Sequence, residues 1–329
     1  MKIRKVYLAC CLFLQVIHSN IYSQDVVFSS FEYTHAAINP ALVASNQSLV
    51  VTANTRSQWK KFGGSYRTVN ASGEFAFKKN RNKSCLAVGV DLSSDNSSSS
   101  QLSTNSLKGN LAYHLQLNPY DKLSVGMYVG YLGFSSVVDE GRWGSQYNGV
   151  AYDGAVASGE TFSTIQKSAL DVGFGAVLSS KTDIPRKNPT FQVGLSAFHL
   201  NRPKMSSSED GSRLPVRLSG FVNTSFIFGR SKHEIRPAIN LQYQNKFSYI
   251  LIGSKVCLNK SVNTNYAIDS KKGESVSLGL FYRSTGAMVL MMSYEKNQWN
   301  VGVSHEMNFG QKMGGVRSAS EINFRYSIP

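Results

Sequence analysis

The chain lacks most of what the common functional classes require. Beyond residue 23 it has no run of about eighteen uncharged apolar residues, which excludes a membrane-crossing helix there. It has 4 cysteines, of which Cys10 and Cys11 stand in the first residues. Cys85 and Cys257 alone make no disulfide framework, and whether they pair stays open. No His or Cys cluster has metal-ligand spacing, so no metal or other cofactor is expected. The histidines in or beside apolar-polar stretches, His114, His199, His233 and His305, stand outside any Gly-x-Ser-x-Gly hydrolase motif. Ser304 and His305 are neighbours, and neighbours on a strand point to opposite faces, so they cannot serve as nucleophile and base. An enzyme is therefore not expected. Acidic residues are few, 20 against 35 Lys and Arg, for a net charge of +15. A nucleic-acid surface would gather those cations among aromatics. Here they fall in turns separated by strands, so nucleic acid is not an expected partner.

What the chain does have is a period of two. Leu49, Val51 and Ala53 open it, and Ile322, Phe324, Tyr326 and Ile328 close it with Asn323, Arg325 and Ser327 between them. One face of such a strand wants an apolar medium and the other tolerates water. Taking turn signals as boundaries gives about fourteen strands, at 48–57, 67–77, 85–94, 103–115, 123–134, 168–179 and 191–200, then 216–228, 234–245, 249–258, 275–283, 287–294, 299–307 and 319–328. A cationic start (Lys2, Arg4, Lys5) and the apolar stretch 6–17 read as an export signal cut after Ser23. Two-faced strands behind an export signal predict an all-β fold: a transmembrane antiparallel up-and-down β-barrel in an outer membrane. The expected division is a signal over 1–23, a periplasmic or plug-like N-terminal segment over 24–47, and the barrel over 48–329.

Bacterial barrels keep short turns in the periplasm and long loops outside. With residue 48 in the periplasm, the outer connections include 95–102, 135–167, 201–215 and 308–318, most of them long. The inner ones are mostly shorter. The exception, 259–274, threatens the count, because a further strand at 262–269 would make it odd. The same parity puts Lys78, Lys79, Arg81, Lys83, Lys181, Arg186, Lys187, Arg230, Lys232, Lys271 and Lys272 on the periplasmic rim. It puts Asp139, Glu140, Asp153, Glu160, Glu209 and Asp210 in outer loops. A basic rim suits either an acidic periplasmic partner or anionic lipid headgroups. Aromatics near strand ends, among them Trp59, Tyr66, Phe75, Phe77, Tyr249, Tyr294 and Trp299, read as interfacial girdles in outer-membrane lipid.

Ahead of the first strand, 28–33 is rich in Phe and Tyr, and Asn39-Pro40 interrupts the pattern with a turn signal. The stretch is too apolar for a free tail and is expected inside the lumen or against the periplasmic mouth. The segment Asn39-Pro40-Ala41, the strand end Arg56-Ser57-Gln58-Trp59, and Val193-Gly194-Leu195-Ser196-Ala197-Phe198-His199-Leu200-Asn201-Arg202-Pro203 together resemble a known family. So do Leu278-Gly279-Leu280-Phe281-Tyr282-Arg283, Val301-Gly302-Val303-Ser304-His305 and Glu321-Ile322-Asn323-Phe324-Arg325-Tyr326. The family is the PorP/SprF outer-membrane proteins of the type IX secretion system of Bacteroidetes. Ser304-His305-Glu306 and the closing Pro329 depart from its pattern.

The resemblance implies a component of the secretion or gliding-motility machinery rather than an enzyme. Its partners would be a secreted cargo or adhesin, held through its C-terminal domain, and the periplasmic ring of the machinery. The competing reading is a FadL-like or porin-like transport channel. The candidate partner-contact or structural residues are Asn39, Pro40, Arg56, Gln58, Trp59, His199, Asn201 and Pro203. For Arg56, Gln58 and Trp59 the plain role is strand cap and girdle anchor. For His199 it is a hydrogen bond to the loop that holds Asn201 and Pro203, since no carboxylate accompanies it in sequence.

Overall fold

The computed structural model describes residues 25–59, 65–77, 84–97, 102–136, 144–156, 165–182, 189–204, 213–228, 233–259, 274–309 and 318–328. The export signal, much of the outer loops and all but Lys181 and Asp153 of the sorted rim charges lie outside them. Alternating apolar residues form fourteen strands: β1 (Leu49–Gln58), β2 (Tyr66–Ala76), β3 (Cys85–Ser97), β4 (Leu102–Gln116), β5 (Asp121–Ser136), β6 (Ile165–Lys181) and β7 (Thr190–Phe198), followed by β8 (Arg217–Phe228), β9 (His233–Gln244), β10 (Phe247–Asn259), β11 (Ser275–Arg283), β12 (Ala287–Lys296), β13 (Trp299–Asn308) and β14 (Ser318–Ile328). Each pairs antiparallel with its neighbour in sequence, and β14 closes on β1 with Arg56 opposite Glu321. A closed ring leaves no sheet edge to satisfy in lipid. β10 pairs directly with β11, Asn259 opposite Ser275, so the ring of described strands is even in number; the stretch 262–269 lies outside the described residues.

The two faces are inverted relative to a protein dissolved in water. Exposed positions carry large apolar side chains, such as Val90 at 51% and Leu195 at 70%, with Leu92, Val129, Leu290, Val303 and Ile322. The buried, inward positions carry Arg56, Glu74, Asp91, Asn110, Asp171, Lys255, Arg283 and Glu321. Leaving a Leu or Val in water costs about 1.5–3 kcal/mol each relative to burial, so a surface of this kind requires lipid. Among the described residues no helix is long and apolar enough to cross a membrane; the strands do so instead. Trp299 meets Tyr326 in a tilted contact at 4.5 Å at one end, and Trp59 meets Tyr66 edge to face at 5.1 Å at the other, as interfacial girdles do.

β1 begins and β14 ends at the same end of the ring, and the longest connections, 137–164 and 199–216, lie at the opposite end. That end is the outer one. Loop length sorts less cleanly than the sequence suggests. The outer connections 245–246 and 284–286 are tight turns, made possible by left-handed backbone at Asn245 (φ 57°) and Gly286 (φ 88°). Tyr249 is no girdle residue: it faces inward and is 2% exposed. Cys85 and Cys257 are both buried and free.

A polar lumen lined by the N-terminal segment

Residues 25–47 form a 3-10 turn (Phe31–Tyr33), one turn of helix α1 (His35–Ile38) and a second 3-10 turn (Pro40–Leu42). None could persist alone in water at this length. They are held by the inward side chains of the wall. Phe31, Ile38, Ala41 and Leu42 bury against Val177, Phe221, Tyr249, Leu251 and Phe281.

Asn39 and Pro40 sit where the wall has no side chains. A Cβ at Gly126 of β5 would lie 2.5 Å from the Ala41 nitrogen and 2.6 Å from the Pro40 carbonyl carbon. One at Gly175 of β6 would lie 2.1 Å from Asn39 Oδ1. In that recess Asn39 Nδ2 donates to the carbonyls of Leu195 (2.9 Å) and Ala176 (3.2 Å), and Oδ1 accepts from the Ala41 amide at 2.9 Å. Proline suits the first position of the short helix because it has no amide to satisfy there. Ser196 Oγ donates to the Ile38 carbonyl at 2.6 Å.

Arg56 anchors a second cluster across the closing seam. Its guanidinium bonds Glu321 of β14 and, at 3.0 Å, Glu306 of β13. Arg283 of β11 pairs with Glu306 at 3.1 Å. The segment completes this group: the amides of Ser29 and Ser30 donate to the two Glu321 oxygens at 2.7 and 2.9 Å, and Arg283 donates to Ser29 Oγ at 2.6 Å. Two cations and two carboxylates thus balance, with backbone amides filling further acceptor sites, as buried charge requires.

His199 forms a third cluster: its carbonyl accepts from the Arg202 amide of its own loop at 2.9 Å, while its ring turns to carboxylates elsewhere in the chain. Left-handed backbone at His199 (φ 57°) ends β7 at Phe198, two residues earlier than the apolar pattern suggests. The ring bridges two carboxylates, Nδ1 to Asp171 at 2.9 Å and Nε2 to Asp25 at 2.7 Å. Asp25 also pairs with Arg217 at 3.1 Å, and its amide donates to Gln244 Oε1 at 3.0 Å. Tyr128 Oη donates to Asp171 at 3.0 Å. Burial opposes the charge on both members of the central pair. Arg217 and His199 outweigh it and hold the Asp25 carboxyl well below the usual range; Asp25 and Asp171 likewise raise His199.

The signs fix a pH dependence. The His199 contribution is fully present below the ordinary histidine value of about 6.5 and is lost as pH rises through the raised value. The Asp25 contribution is present above the ordinary carboxylate range and is lost only as pH falls through its lowered value. The melting-temperature gap between wild type and Asp25→Asn is therefore expected to be widest in weakly acidic buffer and to narrow at alkaline pH. A pH-independent gap would contradict the pairing.

The candidate residues thus occupy three places. Asn39 and Pro40 dock on the glycine recess, Arg56 joins the seam cluster, and His199 holds Asp25. Gln58 and Trp59 end β1, half-buried, with Trp59 in left-handed backbone (φ 57°). Asn201 extends the β6 ladder beyond β7, donating to the Leu170 carbonyl at 2.6 Å, and buried Pro203 accepts from the Leu214 amide at 2.9 Å. Sequence reasoning missed Asp25, Asp171, Glu306, Glu321, Arg283 and the two glycines. Alternation carried a signal for the charged ones, since Arg283, Glu306 and Glu321 all fall on polar-face positions near strand ends.

Lower in the lumen, Lys255 pairs with Glu32 at 2.6 Å, the Ala44 amide donates to Glu74 at 2.7 Å, and His114 bonds the Val43 carbonyl at 2.9 Å. A cavity of about 550 Å³ in the periplasmic half is lined by Phe31, Phe221 and Phe281 and by Lys181, Arg236, Lys255 and Arg325 against only Glu32 and Glu234. Among the described residues no group of His, Cys, Asp or Glu is placed to hold a metal ion.

Compared with known proteins, the chain matches over residues 20–326 the family model described as "Type IX secretion system membrane protein PorP/SprF". No curated protein matches. Among solved structures it is similar to the Ralstonia pickettii toluene transporter TbuX, with a TM-score of 0.52 at 10% identity over 90% of this chain and 94% of that one. It is also similar to the CymD monoaromatic hydrocarbon channel, with a TM-score of 0.48 at 10% identity over 90% and 93%. At such identity the likeness to TbuX is one of fold, an outer-membrane barrel.

Proposed function

Because the chain belongs to the PorP/SprF family of type IX secretion system membrane proteins, we propose that its barrel is a docking scaffold. It holds a secreted cargo or adhesin at the cell surface and meets periplasmic components of the machinery at its other end. It is an outer-membrane barrel of a secretion system, and in this reading it carries out no chemistry and conducts no solute. The observation that carries the reading is the occupied lumen. A segment bonded to the inward faces of β1, β7, β8, β10, β11 and β14 takes up space that a conducting barrel keeps for its solute, and leaves a cavity of about 550 Å³ in the periplasmic half. In the periplasmic half, four cations against two carboxylates favour an acidic partner.

Affinity purification from native outer membranes, followed by mass spectrometry, tests this. A secreted protein retained through its C-terminal domain, together with periplasmic machinery components, is expected. Recovery of porins and lipopolysaccharide alone would contradict it.

A further inference from the structure

The outer rim has a step between β6 and β7. β6 has 17 residues and β7 has 9. Their last outer pair is Phe174 with Ala197, whereas β5 stays beside β6 as far as Ser136 opposite Ile165. Even-numbered residues of β6 turn their backbone groups toward the β7 side: the Val172 carbonyl accepts from the Leu200 amide at 3.0 Å, and the Leu170 carbonyl from Asn201 Nδ2 at 2.6 Å. By the same alternation the amides and carbonyls of Ser168 and Gln166 face that side, and among the described residues no strand lies beside them. This stretch stands clear of lipid. Leu92, Leu107, Tyr131 and Leu170 pair in one row across β3–β6 as the last large apolar side chains on the outward face, with Tyr131 the interfacial aromatic. The next row is Ser94, Asn105, Gly133 and Ser168, and the one above it ends at Gln166.

A strand edge in water, with its donors and acceptors unmatched, is a ready site for another strand. We infer that the β6 edge at 165–169 takes an extended strand of the external protein partner, which adds to the barrel wall above the lipid and brings an acidic side chain to Lys167. This deepens the docking reading and rests on it. The free groups recur at every second residue, a spacing that an extended chain matches and a helix does not. Asn201 shows how the edge binds: its side-chain amide accepts from the Val172 amide at 3.3 Å and donates to the Leu170 carbonyl, taking both bonds that a further β7 residue would make. The left-handed turn at His199 has by then carried β7 away. The charge at the edge selects a foreign strand over a second copy. Lys167 is exposed and central to 165–169, so an antiparallel pairing of two identical edges would set Lys167 against Lys167, which like charge disfavours. A carboxylate on another protein is attracted there instead.

Ser168→Pro removes one edge amide and blocks its side of the strand, while the pairing of β6 with β5 runs through the odd-numbered residues and is kept. Ser168→Ala keeps the amide and serves as control. The probe is the secreted protein that the wild-type barrel retains from native membranes, and the heat-dependent gel shift confirms that each variant is folded. Retention by Ser168→Pro is expected to fall about tenfold or more, the order of one lost strand hydrogen bond, and retention by Ser168→Ala to stay at the wild-type level. A second measurement needs no proline: a benzoylphenylalanine placed at Gln166 is expected to cross-link that protein in intact cells, and one at Asn96, on the distant tip of β3, is not. If the wild-type barrel retains no secreted protein, the docking reading fails and the edge with it. Undiminished retention by folded Ser168→Pro, equal loss in Ser168→Ala, or a Gln166 probe that reaches no partner, a second barrel or only its own chain would overturn the edge and leave the docking reading standing.

Discussion

Replacing Arg56 by methionine is expected to destabilise the detergent-purified barrel by about 3–5 kcal/mol, the usual cost of removing one partner from a buried ion pair. Glu321 and Glu306 would keep their burial, and the pairing that balances Glu321 would be gone, leaving it only the Ser29 and Ser30 amides and Ser304. Because Arg56 and Glu321 face each other across the β1–β14 closure, the loss falls on the seam as well as on the segment. Melting followed by the heat-dependent gel shift of the folded barrel measures it. Adding Glu321→Gln to Arg56→Met should recover part of the loss, since the unpaired charge is then removed. A single variant as stable as wild type would show that the cluster contributes nothing.

The other large effect is expected from Gly126→Val. The added Cβ would meet backbone atoms of Pro40 and Ala41, which cannot swing aside as a side-chain tip can. Relief comes by driving Asn39-Pro40-Ala41 out of its recess, with loss of the Asn39 bonds to β6 and β7. The outward face of β5, with Val125, Met127 and Val129, is untouched, so the barrel should still fold and insert. In planar bilayers the variant is expected to show ion-conducting steps that the wild type lacks. Gly73→Val is the control, because a Cβ there meets nothing within 4 Å. If Gly126→Val stays as silent as wild type, the recess does not hold the segment.

The wall of this protein was legible in the sequence because lipid imposes a strict rule. Most strands alternate, β8 least cleanly, and all fourteen expected strands correspond to β1–β14 with ends shifted by a few residues. β7 shows why ends are harder: apolar Leu200 continues the pattern, yet the left-handed turn at His199 stops the strand first. The lumen was less legible. Its contacts join residues far apart in the chain, as Asp25 with His199 and Ser29 with Glu321, and no local period records such pairs. His199 looked solitary because its carboxylates lie on β6 and in the segment. Gly126 and Gly175 were silent for the opposite reason: what matters there is the absence of a side chain, visible only once Asn39 and Pro40 are seen against them.

Hydrogen–deuterium exchange of peptides covering 25–47, with the wild-type barrel in lipid nanodiscs, tests the occupied lumen most directly. Protection comparable to that of the wall strands, reduced in Gly126→Val while the wall stays protected, is the predicted result. Exchange of 25–47 within seconds in the wild type would contradict the account.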